Sequence, residues 1–417
     1  MESTIAQPLK LKCGLELKNR LVKASMAENM SDPNGMPTEL HNKVYTEWGE
    51  GGWGMVLTGN VQVDRNYLGD PRDVTLDLSR KPELLSKWKT WASTCRSNDT
   101  PIIMQINHPG RQSPAGAGAR PFLAKNLAPS ALPLNMGPGL LAKFASAFVF
   151  GTPREMNQTD IDLVIHQFVE CSQLAAEAGF HGVQVHAAHG YLLTQFLSAE
   201  TNHRTDEYGC SPEKRAKVVI DIIHAVRAAT PEGFCVGVKL NSVDHQSPEA
   251  LEGCISQLKM IHEAGVDFVE ISGGSYEDVT FITGGTSQSQ QEKSAHTVAR
   301  EAFFLEFADA IRSQVPEIPL LLTGGFRTRR GMVAAMQNSS CDMIGLARPA
   351  VLTPSLPKSI VLDTKVPDEE AQLPCKSITA PWLIRWTGIK ALSSGAEPHW
   401  YSKQIQERGR RKIAASS

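Results

Sequence analysis

Short apolar runs alternate with longer amphipathic stretches from about residue 20 to residue 350. The runs have the β-branched, apolar character of buried strands, and the stretches between them have the 3.6-residue periodicity of helices. Eight runs can be counted: Leu21 to Met26, Gly54 to Gly59, Ile102 to Asn107, Gly182 to His186, Val236 to Asn241, Phe268 to Ser272, Leu320 to Thr323 and Met343 to Leu346. Eight such alternations favour an α/β fold of the (β/α)8 TIM barrel type over an open doubly wound sheet.

The helices between the runs are clearest in the second half of the chain. The stretch from Thr159 to Ala178 carries an apolar stripe, and Thr159 predicts its capped start. Ser211 followed by Pro212 predicts another helix start, because proline is favoured at the first helical position. The same pattern is found in Ser247 to Ala264 and in His296 to Gln314. We expect these helices to form the outer ring of the barrel.

Two segments depart from the alternation. Residues 113–155 are rich in Gly, Pro, Ala and Leu, and a loop of that length predicts a functional excursion over the barrel mouth after the third strand. A substrate lid and an ordered surface insertion without a binding role both fit. Residues 361–417 contain Trp382, Trp386 and Trp400 and a basic end. We expect them to form a C-terminal helical extension beside a barrel domain of residues 1–360.

Composition narrows the choice of partner and compartment. A formal charge of −2 and a pI near 6.6 give no basic field for nucleic acid or an anionic membrane. The N-terminus lacks the pattern of a secretory signal, and no stretch has the length of a membrane span, so a cytoplasmic location is expected. The 8 cysteines are scattered singly, which favours free thiols over disulfides or a cysteine-bound metal.

The ends of the last two runs predict a phosphate site. The seventh run continues into L-T-G-G-F-R, and the eighth ends I-G-L-A-R-P, so Gly324, Gly325 and Arg348 would meet at adjacent strand ends. Barrel phosphate sites lie there, formed by close backbone N–H groups and by arginine. The alternative is a tight glycine turn with Arg348 in a structural ion pair.

Two histidines and a tyrosine follow the fourth run. The segment H-A-A-H-G-Y begins where the strand ends, which places His186, His189 and Tyr191 in the barrel mouth. The histidines could donate paired hydrogen bonds to one developing oxyanion, with Tyr191 as a proton donor. They could also bind zinc in a metal-dependent barrel hydrolase, which needs further ligands at other strand ends. Those ends offer little beyond Glu28.

The third and fifth runs bring polar side chains to the same rim. The amide of Gln105 suits the edge of a heterocycle with alternating N–H and C=O groups, although a satisfied structural amide is the simpler alternative. Lys239 could stabilise negative charge on a bound ring or form the Schiff base of an aldolase or lyase. It could also pair with a neighbouring carboxylate such as Asp244 or Glu270.

Together these residues resemble the Old Yellow Enzyme family of FMN-dependent ene-reductases, the NADH:flavin oxidoreductases, over about residues 8 to 355. The most specific block is H-A-A-H-G-Y-L-L-T-Q-F-L-S-A-E-T-N-H-R-T-D-E-Y-G, and its His-His pair is similar to the bacterial-type branch. The resemblance implies FMN as cofactor and NAD(P)H as co-substrate. It implies ping-pong hydride transfer to the activated C=C bond of a small α,β-unsaturated carbonyl compound, and it is compatible with a homo-oligomer.

The resemblance also implies roles for single residues. His186 and His189 would bind the substrate carbonyl oxygen, and Tyr191 would donate the proton. Contacts to the flavin ring and phosphate would come from Ser25, Met26, Ala27, Gly59, Gln105, Lys239, Gly324, Gly325, Ala347 and Arg348. A shared loop that braces the site would contain Asn202, Arg204 and Asp206.

Three positions depart from the family pattern. Lys239 stands where many relatives have arginine, and Ala27 stands where relatives often have Thr or Cys. Cys210 replaces a glycine of the usual Y-G-G-S. Lysine keeps the charge but loses the bidentate fork, so flavin affinity or potential is expected to differ. A flavin-binding carrier without turnover is a further alternative, against which Tyr191 and both histidines argue.

Overall fold

Eight parallel strands follow one another around a closed barrel in the computed structural model of the chain. The structure describes residues 4–96, 98–137, 139–242, 248–272, 307–338, 340–382 and 390–414. The barrel strands are β1 (Leu21–Lys23), β2 (Met55–Gln62), β3 (Ile102–Asn107), β4 (Gly182–Ala187), β5 (Cys235–Asn241), β6 (Phe268–Ser272), β7 (Leu320–Thr323) and β8 (Met343–Leu346). Strand β1 pairs with both β2 and β8, which closes the sheet. The predicted TIM barrel is thereby confirmed.

Helices lie between the strands and after them. They are α1 (Glu39–Gly49), α2 (Lys81–Arg96), α3 (Leu140–Val149), α4 (Gln158–Ala178), α5 (Leu192–Leu197), α6 (Pro212–Ala229), α7 (Pro248–Glu263), α8 (Arg329–Gln337), α9 (Arg348–Leu352) and α10 (Lys390–Ala414). The helix predicted from His296 lies outside the described residues as far as residue 306, and residues 307–314 are helical. Among the described residues, no helix is long and apolar enough to cross a membrane.

Of two residues predicted to begin helices, the structure corrects one and agrees with the other. Helix α4 is capped by Asn157, whose side chain accepts the backbone N–H of Asp160, and not by Thr159. An asparagine carbonyl two residues earlier reaches an unsatisfied amide of the first turn, which leaves Thr159 inside the helix. Helix α6 has Ser211 as its cap and Pro212 in its first turn, as predicted.

Side-chain alternation along the strands gives the barrel an apolar floor. Successive residues of a strand point to opposite faces, so Cys235 and Lys239 of β5 share one face, as do Phe268 and Glu270 of β6. Near the N-terminal ends of the strands, the residues of that face form one apolar cluster with the N-terminal hairpin. Its members are Leu11, Leu17, Val22, Met55, Leu57, Ile103, Cys235, Phe268, Leu321 and Met343. The hairpin strands Leu9–Lys10 and Glu16–Leu17 therefore plug the N-terminal end of the barrel.

Towards the carboxyl ends of the strands, the residues of the same interior face are polar. The Gln184 side-chain amide of β4 donates to the Glu270 carboxylate of β6 at 2.7 Å. Because β5 lies between these two strands, this hydrogen bond crosses the barrel interior. The carboxyl ends of the strands are therefore lined by polar groups above an apolar floor, which is where barrel enzymes place their chemistry.

The described residues of the segment 113–155 form an insertion at this polar end. Helix α3 packs on a small apolar cluster of Leu134, Met136 and Ala142, and the strands Leu127–Ala128 and Arg154–Glu155 pair beneath it. The Gln112 amide, just before the insertion, donates to the His189 carbonyl at 2.9 Å, and the adjacent Arg111 donates to the Pro133 carbonyl of the insertion at 3.2 Å. The insertion is therefore held against the loop that carries the predicted catalytic histidine.

The C-terminal helix α10 packs against α1 and α9. Arg408 of α10 donates to Glu47 of α1 at 3.1 Å. Ser402 donates to the carbonyl oxygen of Ala27 at 2.7 Å, so the helix also contacts the segment that follows β1. The division of the chain into a barrel and an extension stays a prediction, but this helix clearly supports the strand-one end of the mouth.

Candidate active site

His186, His189 and Tyr191 come together at the end of β4. His186 lies in the strand, His189 follows with a left-handed backbone (φ 61°), and Tyr191 is the residue before α5. The ring centroids of His186 and His189 are 5.0 Å apart, and those of His186 and Tyr191 are 4.9 Å apart, both in edge-on arrangements. The turn at His189 reverses the chain, so that three rings separated in sequence share one place in the mouth.

Hydrogen bonds define the orientation of both imidazoles. Nδ1 of His186 accepts the backbone N–H of Ala188 at 3.2 Å, so the proton of a neutral His186 ring is on Nε2. Nε2 of His189 is hydrogen-bonded to Oγ of Ser272, at the end of β6, at 3.1 Å. Sequence reasoning missed Ser272, although its place at the last residue of a strand was a usable signal.

The electrostatics of the site keep both histidines neutral. Burial lowers the pKa of His186, and the neighbouring His189 and Lys239 lower it further. Burial also lowers the pKa of His189, again with help from the Lys239 charge. A low-dielectric site disfavours the imidazolium form in each case. At neutral pH the pair can therefore donate N–H hydrogen bonds without carrying charge.

Lys239 is held in a buried ion pair. Its ammonium lies 2.9 Å from the Glu270 carboxylate, with only 3% and 0% of the two side chains exposed. The second Glu270 oxygen accepts the Gln184 amide, so the carboxylate joins three strands. Of the two carboxylates considered from sequence, Glu270 is the partner, while Asp244 lies outside the described residues. A charge-paired ammonium is a poor nucleophile, which weakens the Schiff-base alternative.

The ends of β1 and β2 are brought together as the sequence indicated. Strand β1 ends at Lys23, earlier than predicted, so Ser25, Met26 and Ala27 lie in the segment that follows it. A Cβ at Gly59 would lie 2.8 Å from the Met26 carbonyl oxygen, so glycine is needed for this close approach. Main chain from both strand ends therefore lines the same side of the mouth.

A buried charged cluster supports these strand ends. Lys23 Nζ lies 3.5 Å from Glu28, and the Tyr45 hydroxyl donates to Glu28 while accepting the Gly59 N–H at 3.0 Å. Burial lowers the pKa of Lys23 and raises that of Glu28. Sequence reasoning considered Glu28 only as a metal ligand and missed Lys23, whose signal was a lysine inside an apolar run.

Gln105 fits the edge of a flavin ring. Its side-chain amide donates to Asn60 at 2.5 Å, whereas its carbonyl oxygen is buried and has no hydrogen-bond partner. A buried acceptor without a partner is costly, so a ligand N–H at this position would satisfy it. The pyrimidine ring of FMN presents such an N–H beside C=O groups. The residue at the end of β3 is therefore compatible with the cofactor that the family resemblance implies.

The last two strands form a cradle of small residues. Gly324 and Gly325 follow β7 with φ values of 156° and 71°. A Cβ at Gly345 of β8 would lie 1.9 Å from Oγ1 of Thr323, and that hydroxyl is buried without a hydrogen-bond partner. A spare hydroxyl donor beside glycine backbone suits a phosphate group. Thr323 was not identified from the sequence.

Ala347 and Arg348 begin the short helix α9 after β8. Arg348 forms an ion pair with Glu397 of α10, and the other Glu397 oxygen accepts the Ile378 N–H at 3.0 Å. This pair is the structural alternative considered for Arg348. It uses one guanidinium nitrogen, so a phosphate contact from Arg348 stays a prediction.

The loop after α5 braces the mouth. The Asn202 amide donates to the carbonyls of Phe196 and Tyr208 at 2.8 and 2.7 Å. Arg204 is paired with Asp206 and also donates to the Pro129 carbonyl of the insertion at 3.1 Å. The Asn202 bonds hold the loop together, and the Arg204 bond connects it to residues 113–155, which is the arrangement expected of a bracing loop.

The zinc interpretation of the histidine pair gains no support from the described part of the chain. There, one group of three metal-ligand side chains has its ligand atoms within 4.8 Å of one another, and it consists of Cys13, Cys235 and Asp267. This group lies at the N-terminal end of the barrel, away from His186 and His189.

Comparisons with known proteins identify the family of the chain. The model of the NADH:flavin oxidoreductase / NADH oxidase family matches residues 4–365. The NADH-dependent flavin oxidoreductase iliE of Hypocrea jecorina (strain QM6a) is 48% identical over 387 residues, covering 93% of this chain and 96% of the relative. Its counterpart from Neonectria sp. (strain DH2) is 49% identical over 394 residues, but the match spans only 51% of that longer protein.

A solved structure with low sequence identity also supports the fold. The old yellow enzyme homologue from Zymomonas mobilis superposes with a TM-score of 0.68 at 22% identity, covering 89% of this chain and all of the other. Membership of the family implies FMN as the cofactor and NADH or NADPH as the reductant. The chain belongs to the NADH:flavin oxidoreductase / NADH oxidase family and is an oxidoreductase.

Proposed function

We propose that the chain reduces the C=C bond of α,β-unsaturated carbonyl compounds in a ping-pong cycle driven by NADH or NADPH. The observation that carries this proposal is the cluster of two neutral imidazoles and a phenol at one strand end, His186, His189 and Tyr191. FMN, when bound, supplies the hydride chemistry, and the protein supplies orientation and electrostatics.

The two histidines would bind the carbonyl oxygen of the substrate. Negative charge develops on that oxygen during reduction, and N–H donors fixed in advance stabilise it in a site with little water. Nε2 of His186 is available as such a donor because Nδ1 accepts a backbone N–H. The hydrogen bond to Ser272 fixes the His189 ring beside it.

Tyr191 would donate the proton that completes reduction. Its ring contacts His186 edge-on, so the phenol lies beside the oxygen-binding imidazole. A phenol is a suitable donor because it is protonated at neutral pH, and a substrate whose oxygen is held by the histidines would lie beside this ring.

The cofactor would be held by groups at the other strand ends. The unpartnered Gln105 carbonyl oxygen would accept from the pyrimidine edge, and Lys239 would lie near the electron-rich side of the ring. Gly324 and Gly325, with Thr323, would hold the phosphate. We include Ser25, Met26, Ala27, Gly59, Ala347 and Arg348 among the contacts on the family pattern.

The first test is the visible spectrum of the purified protein. A bound flavin should be bleached by NADPH or NADH and recover when cyclohexenone is added. A colourless preparation that does not take up FMN would refute the proposal. A flavin that is reduced but recovers with oxygen and never with an enone would limit the function to NAD(P)H oxidation.

The second test separates the two half-reactions with Tyr191→Phe. Loss of a general acid should slow enone reduction by about 100-fold and leave flavin reduction by NADPH nearly unchanged in stopped-flow measurements. Tyr208→Phe is the matched control, because Tyr208 is buried in the bracing loop and its hydroxyl bonds to Asp221 at 3.3 Å. Equal slowing of both half-reactions in Tyr191→Phe would remove the proposed role.

The third test addresses the histidines. His186→Ala or His189→Ala should weaken the binding of phenols, which mimic the enolate oxygen, by about tenfold or more. His166→Ala is the control, since that side chain is 65% exposed on α4. Unchanged phenol affinity in both active-site variants would show that another group binds the oxygen.

We also propose that residues 113–155 act as a substrate lid. Helix α3 leaves Leu140, Phe144 and Phe148 exposed at 85%, 70% and 68%, which gives the insertion an apolar surface that a lid could turn towards an apolar substrate. Phe144→Ser with Phe148→Ser should raise the KM for bulky apolar enones more than that for cyclohexenone. Leu163→Ser, at an exposed apolar position on α4, should change neither KM. Equal KM values for all three proteins would favour an insertion without a binding role.

Two finer assignments accompany the proposal. We propose the bacterial-type branch for the chain on the sequence pattern of its His-His pair alone, and the two relatives compared with it, from Neonectria and Hypocrea jecorina, are fungal. Residues 361–417 are proposed as an extension of one barrel domain, because α10 bonds to both α1 and the segment after β1.

A further inference from the structure

Two thiols meet at the end of the barrel opposite the mouth. Cys13 lies in the turn of the N-terminal hairpin, and Cys235 is the first residue of β5. Their sulfur atoms and a carboxylate oxygen of Asp267 all lie within 4.8 Å of one another. No step of the proposed reaction uses these residues, since the residues proposed to bind flavin and substrate lie at the carboxyl ends of the strands.

We propose that Cys13 and Cys235 form an oxidative modification site, in which a peroxide converts the two thiols into a disulfide that fastens the hairpin to the barrel floor. The proximity of the two sulfur atoms at the contact between hairpin and barrel carries this inference. It is independent of the proposed enone reduction.

The two thiols differ in the way that a nucleophilic and a resolving cysteine should. Cys13 is half-buried, and hydrogen bonds from Cys235 and from the Leu15 backbone lower its pKa. Cys235 is fully buried, and its hydrogen bond to Cys13 together with burial raises its pKa. Reactive cysteines are those with accessible thiolate character next to a second thiol. Cys13 is therefore the attacking sulfur and Cys235 the resolving one.

The chemistry balances with hydrogen peroxide as the named oxidant. The Cys13 thiolate attacks one peroxide oxygen, the O–O bond breaks, and a sulfenic acid and hydroxide form; the hydroxide takes a proton to become water. The Cys235 sulfur then attacks the sulfenic sulfur, the S–O bond breaks, and a second water leaves with the Cys235 proton. Two thiols are oxidised to one disulfide, and one peroxide is reduced to two waters.

The bond would form by a movement of the hairpin turn towards the barrel. A disulfide requires the sulfur atoms to approach to about 2.05 Å, so one side chain must move. Cys13 precedes Gly14, whose φ is 91°, in a tight surface turn, and the adjustment can be confined there. Asp267 already holds the hairpin turn beside β5, because its carboxylate accepts the Cys13 N–H at 2.9 Å and the Val236 N–H at 2.7 Å.

The same contacts argue against a metal ion at this site. Both oxygens of Asp267 are engaged by backbone N–H groups, and Arg227 forms an ion pair with the carboxylate. A cation bound by the two thiols would lie close to this guanidinium and would compete with it for Asp267. A disulfide needs no charge at the site and leaves the carboxylate contacts intact.

The test uses the full-length FMN-loaded protein. After mild peroxide treatment and alkylation, a non-reducing digest should contain a peptide that links Cys13 to Cys235, and thiol titration should lose two groups. The melting temperature should rise by about 3 to 5 °C and return with dithiothreitol, because the bond closes a long loop. NADPH oxidation should be unchanged, since the site lies at the N-terminal end of the barrel.

Cys13→Ser and Cys210→Ser form a matched pair of variants. Cys210 is exposed and lies in the loop after α5, so Cys210→Ser should keep the linked peptide and the thermal shift. Cys13→Ser should lose both. Sulfinic or sulfonic acid at Cys13 without a linked peptide would overturn the proposal, as would stoichiometric zinc held by the unmodified protein and absent from Cys13→Ser. If the variant fails to fold, the peptide map of the unmodified protein decides alone.

Discussion

The ion pair between Lys239 and Glu270 makes a quantitative prediction about Glu270→Gln. The substitution keeps the size of the side chain and an acceptor for Gln184, but it removes the negative charge beside an ammonium that is 3% exposed. A buried charge without its partner must either remain desolvated or lose its proton. We therefore expect the free energy of unfolding to fall by about 3 kcal/mol.

The double variant separates the pair from its surroundings. Lys239→Met with Glu270→Gln removes both charges, so it should recover most of the loss and leave a coupling energy of about 2 kcal/mol or more. The surface pair of Arg80 and Glu83 is the control, because its charged atoms are also close, at 2.6 Å, but its side chains are 34% and 46% exposed. Glu83→Gln should cost less than about 0.5 kcal/mol, since water screens that pair.

Urea unfolding followed by tryptophan fluorescence measures these differences, with the FMN affinity of each variant measured separately so that the contribution of ligand binding can be subtracted. Buried Trp48, Trp53, Trp88 and Trp91 provide the signal. If Glu270→Gln unfolds at the same urea concentration as Glu83→Gln, the ammonium does not depend on the carboxylate. If the double variant is as unstable as Glu270→Gln, the loss comes from Glu270 packing and not from the charge pair. Either outcome refutes the reasoning.

Three further predictions concern other parts of the molecule. Cys210→Gly should raise the free energy of unfolding by about 1 kcal/mol and Cys210→Ala should not, because φ at this position is 67° and only glycine adopts it without strain; urea midpoints check this. Burial lowers the pKa of His41 from 6.5 to about 3, so as the pH falls the unfolded chain takes up the histidine proton before the folded chain does. The free energy of unfolding therefore decreases as the pH is lowered from 6.5 to about 3, by about 1.4 kcal/mol per pH unit from this group. Unfolding at several pH values should show that His41→Gln lacks this contribution to the slope. Arg348→Met should weaken FMN binding about tenfold and riboflavin binding little in fluorescence titrations, whereas Glu397→Gln should affect both ligands equally; equal effects of both variants would leave Arg348 with its structural ion pair alone.

Sequence periodicity was sufficient for the barrel because each strand and helix is determined by its own burial pattern. The apolar runs coincide with strands throughout, and the serine and proline at the start of α6 act locally. Strand ends were less accurate. The predicted first strand continued to Met26, but β1 stops at Lys23, because its partner β8 ends at Leu346, the residue that pairs with Lys23.

The residues proposed for the site could be selected one by one from the sequence, whereas the contacts between them could not. A histidine at the end of a strand is visible in sequence, whereas the partner of Lys239 depends on which strands are neighbours and on their register. The register aligns Lys239 with both His186 and Glu270, and that alignment exists only in the closed sheet. Arg348 likewise meets Glu397, which is 49 residues further along the chain and lies in a helix whose docking no local pattern specifies.

Every second residue of a barrel strand points into the barrel, so one strand can contribute to the apolar floor at its start and to the polar mouth at its end. In β5 the inward positions run from Cys235 through Gly237 to Lys239, and a Cβ at Gly237 would lie 2.3 Å from the Phe268 ring. The large Phe268 ring thus needs glycine on the next strand, and together they form the floor on which the buried pair of Lys239 and Glu270 rests. A side chain larger than hydrogen at this position must displace that ring towards the charged layer above. Gly237→Ala should therefore disturb flavin binding as well as stability, although residue 237 lies below every proposed contact to the cofactor.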